Sequence, residues 1–169
     1  MGRTFNGLLM LYYNMASVST NIVNLQEKIR MIKIPKNVYD NIINIIEKHY
    51  PLEACGVLLG KIENETAKVV EVKEIKNVLE STSMFWFDIK EWMNVILEAK
   101  ERKLEYIGLF HSHIKGSPIP SLPDRHRMLE CPEEVWIIVS YKLGTKPDIA
   151  AWRINDFGSS IMKLRLEIK

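Results

Sequence analysis

Apolar residues recur along this chain at two different periods, and the switches between them outline its elements. In IPKNVYDNIINIIEKHY, residues 34–50, Val38, Ile42, Ile45 and Ile46 repeat at the three- and four-residue offsets of one helix face. Pro35 favours the start of that helix and Pro51 ends it. ACGVLLGKI (54–62) is dense in apolar residues without a helical period, which suits a strand buried on both faces. AKVVEVKEIK (67–76) alternates and reads as its partner strand, with a hairpin turn in KIENETAK (61–68). NVLESTSMFWFD (77–88) has neither period and reads as an irregular link rich in aromatics. Helical spacing returns in DIKEWMNVILEAKERKLE (88–105), where Ile89, Met93, Ile96 and Leu97 form the expected inner face and Asp88 the expected N-cap. YIGLFHSH (106–113) reads as a strand, DRHRMLE (124–130) as a short helix, and VWIIVSYK, IAAWRIN and SIMKLRLEI as three further strands. This order predicts an α/β fold: a central mixed, mostly antiparallel sheet with helices packed on its faces.

Regular patterning begins at Met31, so residues 31–169 are expected to form a single domain. Residues 1–30 are expected to be an N-terminal extension, flexible or the product of a start assigned too early. Their apolar stretch, Gly7 to Tyr13, is far too short to span a bilayer and only faintly resembles a signal peptide. The apolar fraction of 47% and the charged fraction of 26% are ordinary for a soluble globular chain, and nothing argues for a membrane. A net charge of +2 gives no ground for a nucleic-acid partner. The two cysteines, Cys55 and Cys131, form no C-x-x-C pair, which points to a reducing compartment and a cytoplasmic protein. Whether they pair with each other is left open, as is the choice between monomer and homodimer.

The candidate chemistry lies in HSHIKGSPIPSLPD, residues 111–124. Residues i and i+2 of a strand share a face, so His111 and His113 converge at the strand's end while Ser112 points the other way. Gly116, Pro118 and Pro120 then make a stiff turn, which brings Asp124 to the first turn of the following helix. His, His and Asp are three zinc-type ligands, and a three-ligand set leaves the fourth tetrahedral position to water, as in catalytic sites. A plainer reading exists for each part. Ser121-x-x-Asp124 has the placement of a helix capping box, with Asp where Glu or Gln is usual. Two strand histidines can also simply be hydrogen-bonded in place. The joint spacing H-x-H-x7-S-x2-D on a loop built to bend is what favours the metal reading.

That stretch resembles the JAMM motif of the MPN-domain metalloproteases, and PLEACGVLLG (51–60) resembles the segment carrying that family's catalytic glutamate. The resemblance extends, more loosely, over residues 31–155. It departs at Ile114, where family members often have proline; this alters the loop entrance and removes no ligand. The resemblance implies an MPN (JAMM) fold, similar to the cytidine deaminase-like architecture. It implies one Zn²⁺ per chain on His111, His113 and Asp124 with a catalytic water, Glu53 as general base, and Ser121 as a donor to the oxyanion. Among the residues themselves nothing singles out Glu53 from the other glutamates, and a surface glutamate after Pro51 is the plain alternative.

The residues imply only metal-assisted amide hydrolysis. The resemblance adds the substrate: an (iso)peptide bond after the C-terminal Gly-Gly of a ubiquitin-like, β-grasp modifier. Its alternative is a processing peptidase that trims the tail of a β-grasp sulfur-carrier protein. A non-enzymatic MPN scaffold is disfavoured because all ligands are present. A zinc nucleobase deaminase is disfavoured because its H-x-E…P-C-x-x-C pattern is absent. His126 is expected on the surface, Cys55 in the core, and the FWF run at 85–87 either in the core or against substrate.

Overall fold

The computed structural model describes residues 29–155 and 160–169, so the expectation for the first thirty residues falls almost wholly outside the described residues. The elements run in the order β1 (Met31–Ile34), α1 (Lys36–His49), β2 (Cys55–Glu63), β3 (Thr66–Ile75), α2 (Ile89–Glu101), β4 (Glu105–His113), α3 (Leu122–Glu130), β5 (Val135–Ser140), β6 (Asp148–Ile154) and β7 (Ile161–Ile168). No helix among the described residues is long and apolar enough to cross a membrane.

The strands hydrogen-bond in the order β1-β3-β2-β4-β5-β6-β7, and β1 pairs with β7 to close the ring. The fold is mixed α/β as expected, but the expected central sheet flanked by helices is instead a closed seven-strand ring. Four pairings are antiparallel (β2 with β3 and β4, β6 with β5 and β7), whereas β1 runs parallel to both its neighbours and β4 runs parallel to β5. The closing strand is only MIKI, placed against the proline that starts α1, and four residues carry too little pattern to announce a strand. Closure leaves no unpaired edge for another chain to add to.

Two apolar clusters lie on opposite faces of the strands. One gathers Ile32, Leu58, Ile107, Phe110 and Ile137 with the Val38, Ile42, Ile45 and Ile46 face of α1. The other gathers Val57, Leu59, Leu109 and Trp136 with Phe85 and Phe87 of the link, Trp92, Ile96 and Ala99 of α2, and Met128 of α3. Strands with cover on both faces explain the unbroken apolar runs of β2 and β5. Asp88 does cap α2, accepting hydrogen bonds from the Lys90 and Glu91 amides. The inner face of α2 differs from the expected one. Trp92, Ile96 and Ala99 are buried and Leu97 is exposed, because the helix turns towards Phe87 and Tyr106, whose rings meet the Trp92 indole.

One irregularity in β4 fixes everything beyond it. Leu58 of β2 faces Gly108 and Leu59 faces Tyr106, so Ile107 is the extra residue of a β-bulge. Ile107 packs in the α1-side cluster and Leu109 in the other, although two residues apart in a regular strand they would share a face. The bulge therefore inverts the alternation, and His111 follows Leu109 to the α2/α3 side. Gly108 makes this possible. Its φ is +155°, and a Cβ there would stand 1.9 Å from the Val135 carbonyl oxygen.

Gly108→Ala is expected to destabilise the fold by more than about 3 kcal/mol, read as a loss of soluble protein or a large fall in Tm. A second expectation concerns Glu134, which is buried and accepts a hydrogen bond from the Tyr106 hydroxyl at 2.8 Å. Burial pushes its pKa from 4.5 up to about 7. The folded state thus holds the proton more tightly than the unfolded chain. This contribution to stability is complete below pH 4.5 and is lost as pH rises through 7. Glu134→Gln, which keeps the acceptor, is expected to raise Tm at pH 8 by several degrees and to change it little at pH 4.5, measured by thermal unfolding across that range.

Candidate active site

The site is assembled where β4 ends. His111 is fully buried, stacked on Phe85 with ring centroids 4.3 Å apart and met edge-on by Trp136 at 5.8 Å. These rings leave the imidazole little freedom to turn. His113, one residue beyond Ser112, is almost as deeply buried, and its Nδ1 lies 3.2 Å from the Ser117 carbonyl oxygen. That carbonyl accepts the Nδ1 proton and leaves the Nε2 lone pair free, which suits a metal ligand.

The proline loop is stapled to the barrel by side chains beyond it. Ser140 Oγ donates to the Gly116 carbonyl at 2.6 Å, and Trp152 Nε1 donates to the Pro118 carbonyl at 2.7 Å. The chain then enters α3 through a capping box: Asp124 N donates to Ser121 Oγ at 3.3 Å, and Ser121 N donates to Asp124 Oδ2 at 2.7 Å. The capping reading and the ligand reading of Ser121 and Asp124 are therefore compatible. The cap fixes the carboxylate that faces the histidines.

His111, His113 and Asp124 come together as one group. The two Nε2 atoms are 3.0 Å apart, His111 Nε2 is 3.5 Å from Asp124 Oδ1, and His113 Nε2 is 3.3 Å from Asp124 Oδ2. Ligands about 2.0–2.1 Å from a tetrahedral zinc stand about 3.3–3.4 Å from one another. The measured separations, 3.0 to 3.5 Å, bracket that spacing, with the two histidines facing different oxygens of Asp124. The donor set, two imidazoles and one carboxylate, is also the zinc type.

The electrostatics agree. Burial works to raise the Asp124 pKa, but hydrogen bonds and charge from His111 and His113, with a further bond from Ser121, outweigh it and hold the carboxyl well below the usual range. Burial pushes His111 below its ordinary value against the pull of Asp124. At His113 burial works downwards most strongly of any single cause, but the Asp124 and Ser117 hydrogen bonds and the charges of Asp124 and Glu53 together raise the pKa. Metal binding needs a carboxylate and neutral imidazoles; the shifts of Asp124 and His111 run that way and the shift of His113 runs against it.

Glu53 sits in the irregular stretch between α1 and β2 and is only 4% exposed. Burial raises its pKa to about 7; the charge of His113 works against this and that of Asp124 with it, so Glu53 lies within electrostatic reach of both ligands. Ser121 adjoins the group with its hydroxyl donating to Asp124 Oδ2 at 2.6 Å. His126 is exposed. Cys55 and Cys131 are buried free thiols, outside the metal group. Of the FWF run, Phe85 and Phe87 are core residues, and Phe85 touches the site through His111 rather than from the solvent side.

Three contributors have no signature in the spacing. Ser112, on the opposite face from the histidines, accepts a hydrogen bond from the Ala54 amide at 2.9 Å. Arg127 of α3 lies over the Trp86 ring at 4.0 Å and donates to the Phe85 carbonyl, tying the link to the helix that carries Asp124. Asn77 reaches from the link to the Glu53 carbonyl. Only strand alternation gave a hint, by sending Ser112 towards β2's side of the fold.

Mixed α/β architecture and a His-His-Asp group beside a buried glutamate define a JAB-type hydrolase domain. The family model described as prokaryotic homologs of the JAB domain matches residues 35–155, and the chain belongs to that family. It is 35% identical over 123 residues to a desampylase of Pyrococcus furiosus, covering 73% of this chain and 81% of that protein. A desampylase of Haloferax volcanii is 30% identical over 91 residues, 53% of this chain and 63% of that protein. A solution structure from Desulfitobacterium hafniense superposes with a TM-score of 0.71 at 25% identity, over 82% of this chain and 93% of that one. One from Salinibacter ruber does so at 0.61 and 24% identity, over 81% and 91%, and shares the fold.

His113→Ala removes one donor of three and is expected to weaken Zn²⁺ binding by more than about 100-fold while leaving the far-ultraviolet spectrum unchanged. Competition with a chromophoric chelator measures the first quantity.

Proposed function

We propose that this protein is a zinc-dependent isopeptidase that hydrolyses the bond after the C-terminal Gly-Gly of a ubiquitin-like, β-grasp modifier joined to a lysine amine. The observation that carries the reading is the convergence of His111, His113 and Asp124, with donor atoms 3.0 to 3.5 Å apart, beside a buried glutamate whose pKa lies near neutrality. The modifier class is supported by the two relatives named desampylases, isopeptidases that act on ubiquitin-like modifiers.

Zinc held by these residues would supply Lewis acidity to a carbonyl and acidify a water. The protein's own groups do the rest. Glu53, kept dry enough to hold or release a proton near pH 7, takes the proton of the attacking water at a carboxylate oxygen. It then delivers that proton to the departing lysine nitrogen, so one residue is base and then acid. The Ser121 hydroxyl donates to the developing oxyanion after turning from Asp124 Oδ2. Phe85 and Trp136 keep bulk water from the His111 side.

Glu53→Gln is expected to retain zinc and to lower the single-turnover rate by about 10²–10⁴-fold. The assay uses a lysine-linked modifier conjugate beside a linear C-terminal fusion of the same modifier, each with and without chelator. Chelator-sensitive cleavage of the conjugate supports the isopeptidase. Cleavage of the fusion alone identifies a processing peptidase, and cleavage of neither removes the proposal.

A further inference from the structure

We propose that Asn77 is a positioning residue for Glu53, the clamp through which the 77–87 link sets the orientation of the general base. This rests on the reading of Glu53 given above. Glu53 belongs to neither helix nor strand, so no regular ladder fixes its peptide. The link supplies what the ladder does not. Asn77 Nδ2 donates to the Glu53 carbonyl at 2.8 Å and to the Met84 carbonyl at 3.1 Å. Asn77 Oδ1 accepts from the Leu79 amide at 3.1 Å and the Trp86 amide at 3.2 Å. Every donor and acceptor of the side chain is thereby used, and each fixes a different point of the link or of the base. The link returns a second bond, Glu53 N to the Ser81 carbonyl at 2.8 Å. Glu53 is thus held through its own N–H and its own C=O by one segment.

The same segment carries Phe85, the ring stacked on His111. One amide side chain therefore ties together the base, the loop that holds it and the residue that packs a metal ligand. The exposed side chains of that loop, Val78, Leu79 and Met84, face outward, so a chain docking on them would press on the segment that aims Glu53.

Asn77→Asp is close to isosteric. It keeps both acceptor bonds to Leu79 and Trp86 and loses both donors, setting a carboxylate against the Glu53 and Met84 carbonyls. The expected result is a kcat lowered about 10- to 100-fold with KM and zinc affinity changed less than about threefold, since a misplaced base costs the chemical step rather than binding. In a Glu53→Gln background the same substitution is expected to cost less than about threefold, because there is no base left to misplace. Amide exchange supplies a readout independent of turnover. Protection at the Glu53 amide is expected to fall at least tenfold in Asn77→Asp, while the central amides of β2 keep theirs. An undiminished Asn77→Asp cost in the Glu53→Gln background overturns the proposal, as does unchanged exchange at Glu53. Normal cleavage by Glu53→Gln itself overturns the role of Glu53, and with it this inference. An unfolded Asn77→Asp protein would reveal a purely structural residue, and Asn77→Ser, which retains one donor, would then have to show the kcat loss without the fall in Tm for the proposal to survive.

Discussion

The contact between Gly108 and the Val135 backbone is the constraint on which the site depends. β4 and β5 run parallel at the middle of the ring, and β4 must also pair antiparallel with β2. The extra residue Ile107 can be absorbed only where β4 presses on Val135 without a side chain in the way. Once it is absorbed, the alternation of β4 is inverted. His111 and His113 then emerge on the face that α3 and the aromatic link cover, and not among the isoleucines of α1. A regular strand with the same residues would bury two imidazoles in an apolar core with nothing to bind.

From that point the arrangement is a matter of satisfying buried charge. Asp124 is a carboxylate with little access to water, and such a group is stable only when its oxygens are occupied. Oδ2 accepts from the amide and hydroxyl of Ser121, which doubles as the helix cap, and the pair of oxygens faces the imidazoles. Oδ2 takes both bonds from Ser121 and also faces His113, while Oδ1 faces His111. The same residues therefore form the cap and present a group able to hold a metal. The cost of holding the loop rigid is met away from the site, by Ser140 and Trp152 on the neighbouring strands.

What the sequence makes legible follows from how local the governing interaction is. The buried face of α1 depends on residues within the helix, and all four expected positions are buried. The His-His-Asp set depends on strand alternation and a short loop, both contained in fourteen residues. The face of α2 depends on which partners arrive from elsewhere. Ile89, Met93 and Leu97 are as apolar as Trp92 and Ala99, and only the presence of Phe87 and Tyr106 decides between the two faces. Barrel closure depends on a four-residue strand meeting β3 and β7, which no local pattern encodes. Glu53 is the extreme case: nothing near it in the chain distinguishes it, and only the family resemblance points to it.

The residue between the histidines ties the Glu53 stretch to the end of β4. Strand alternation sends Ser112 away from the metal group, towards the strand that begins just after Glu53. There it accepts the Ala54 N–H, and the Ala54 carbonyl in turn accepts the Ser112 amide at 3.0 Å. The peptide leaving Glu53 is therefore fastened to the same three-residue stretch that carries the two imidazoles. A rigid shift of the end of β4 would carry the histidines and the base together, preserving their separation. The link, by contrast, grips the peptide entering Glu53 and its carbonyl from the other side. Under the proposed mechanism, base and ligands would be held in register through Ser112, while the segment around Asn77 grips the Glu53 backbone from the other side. The Glu53 stretch is thus gripped from two sides, by Ser112 at the end of β4 and by Asn77 and Ser81 of the link.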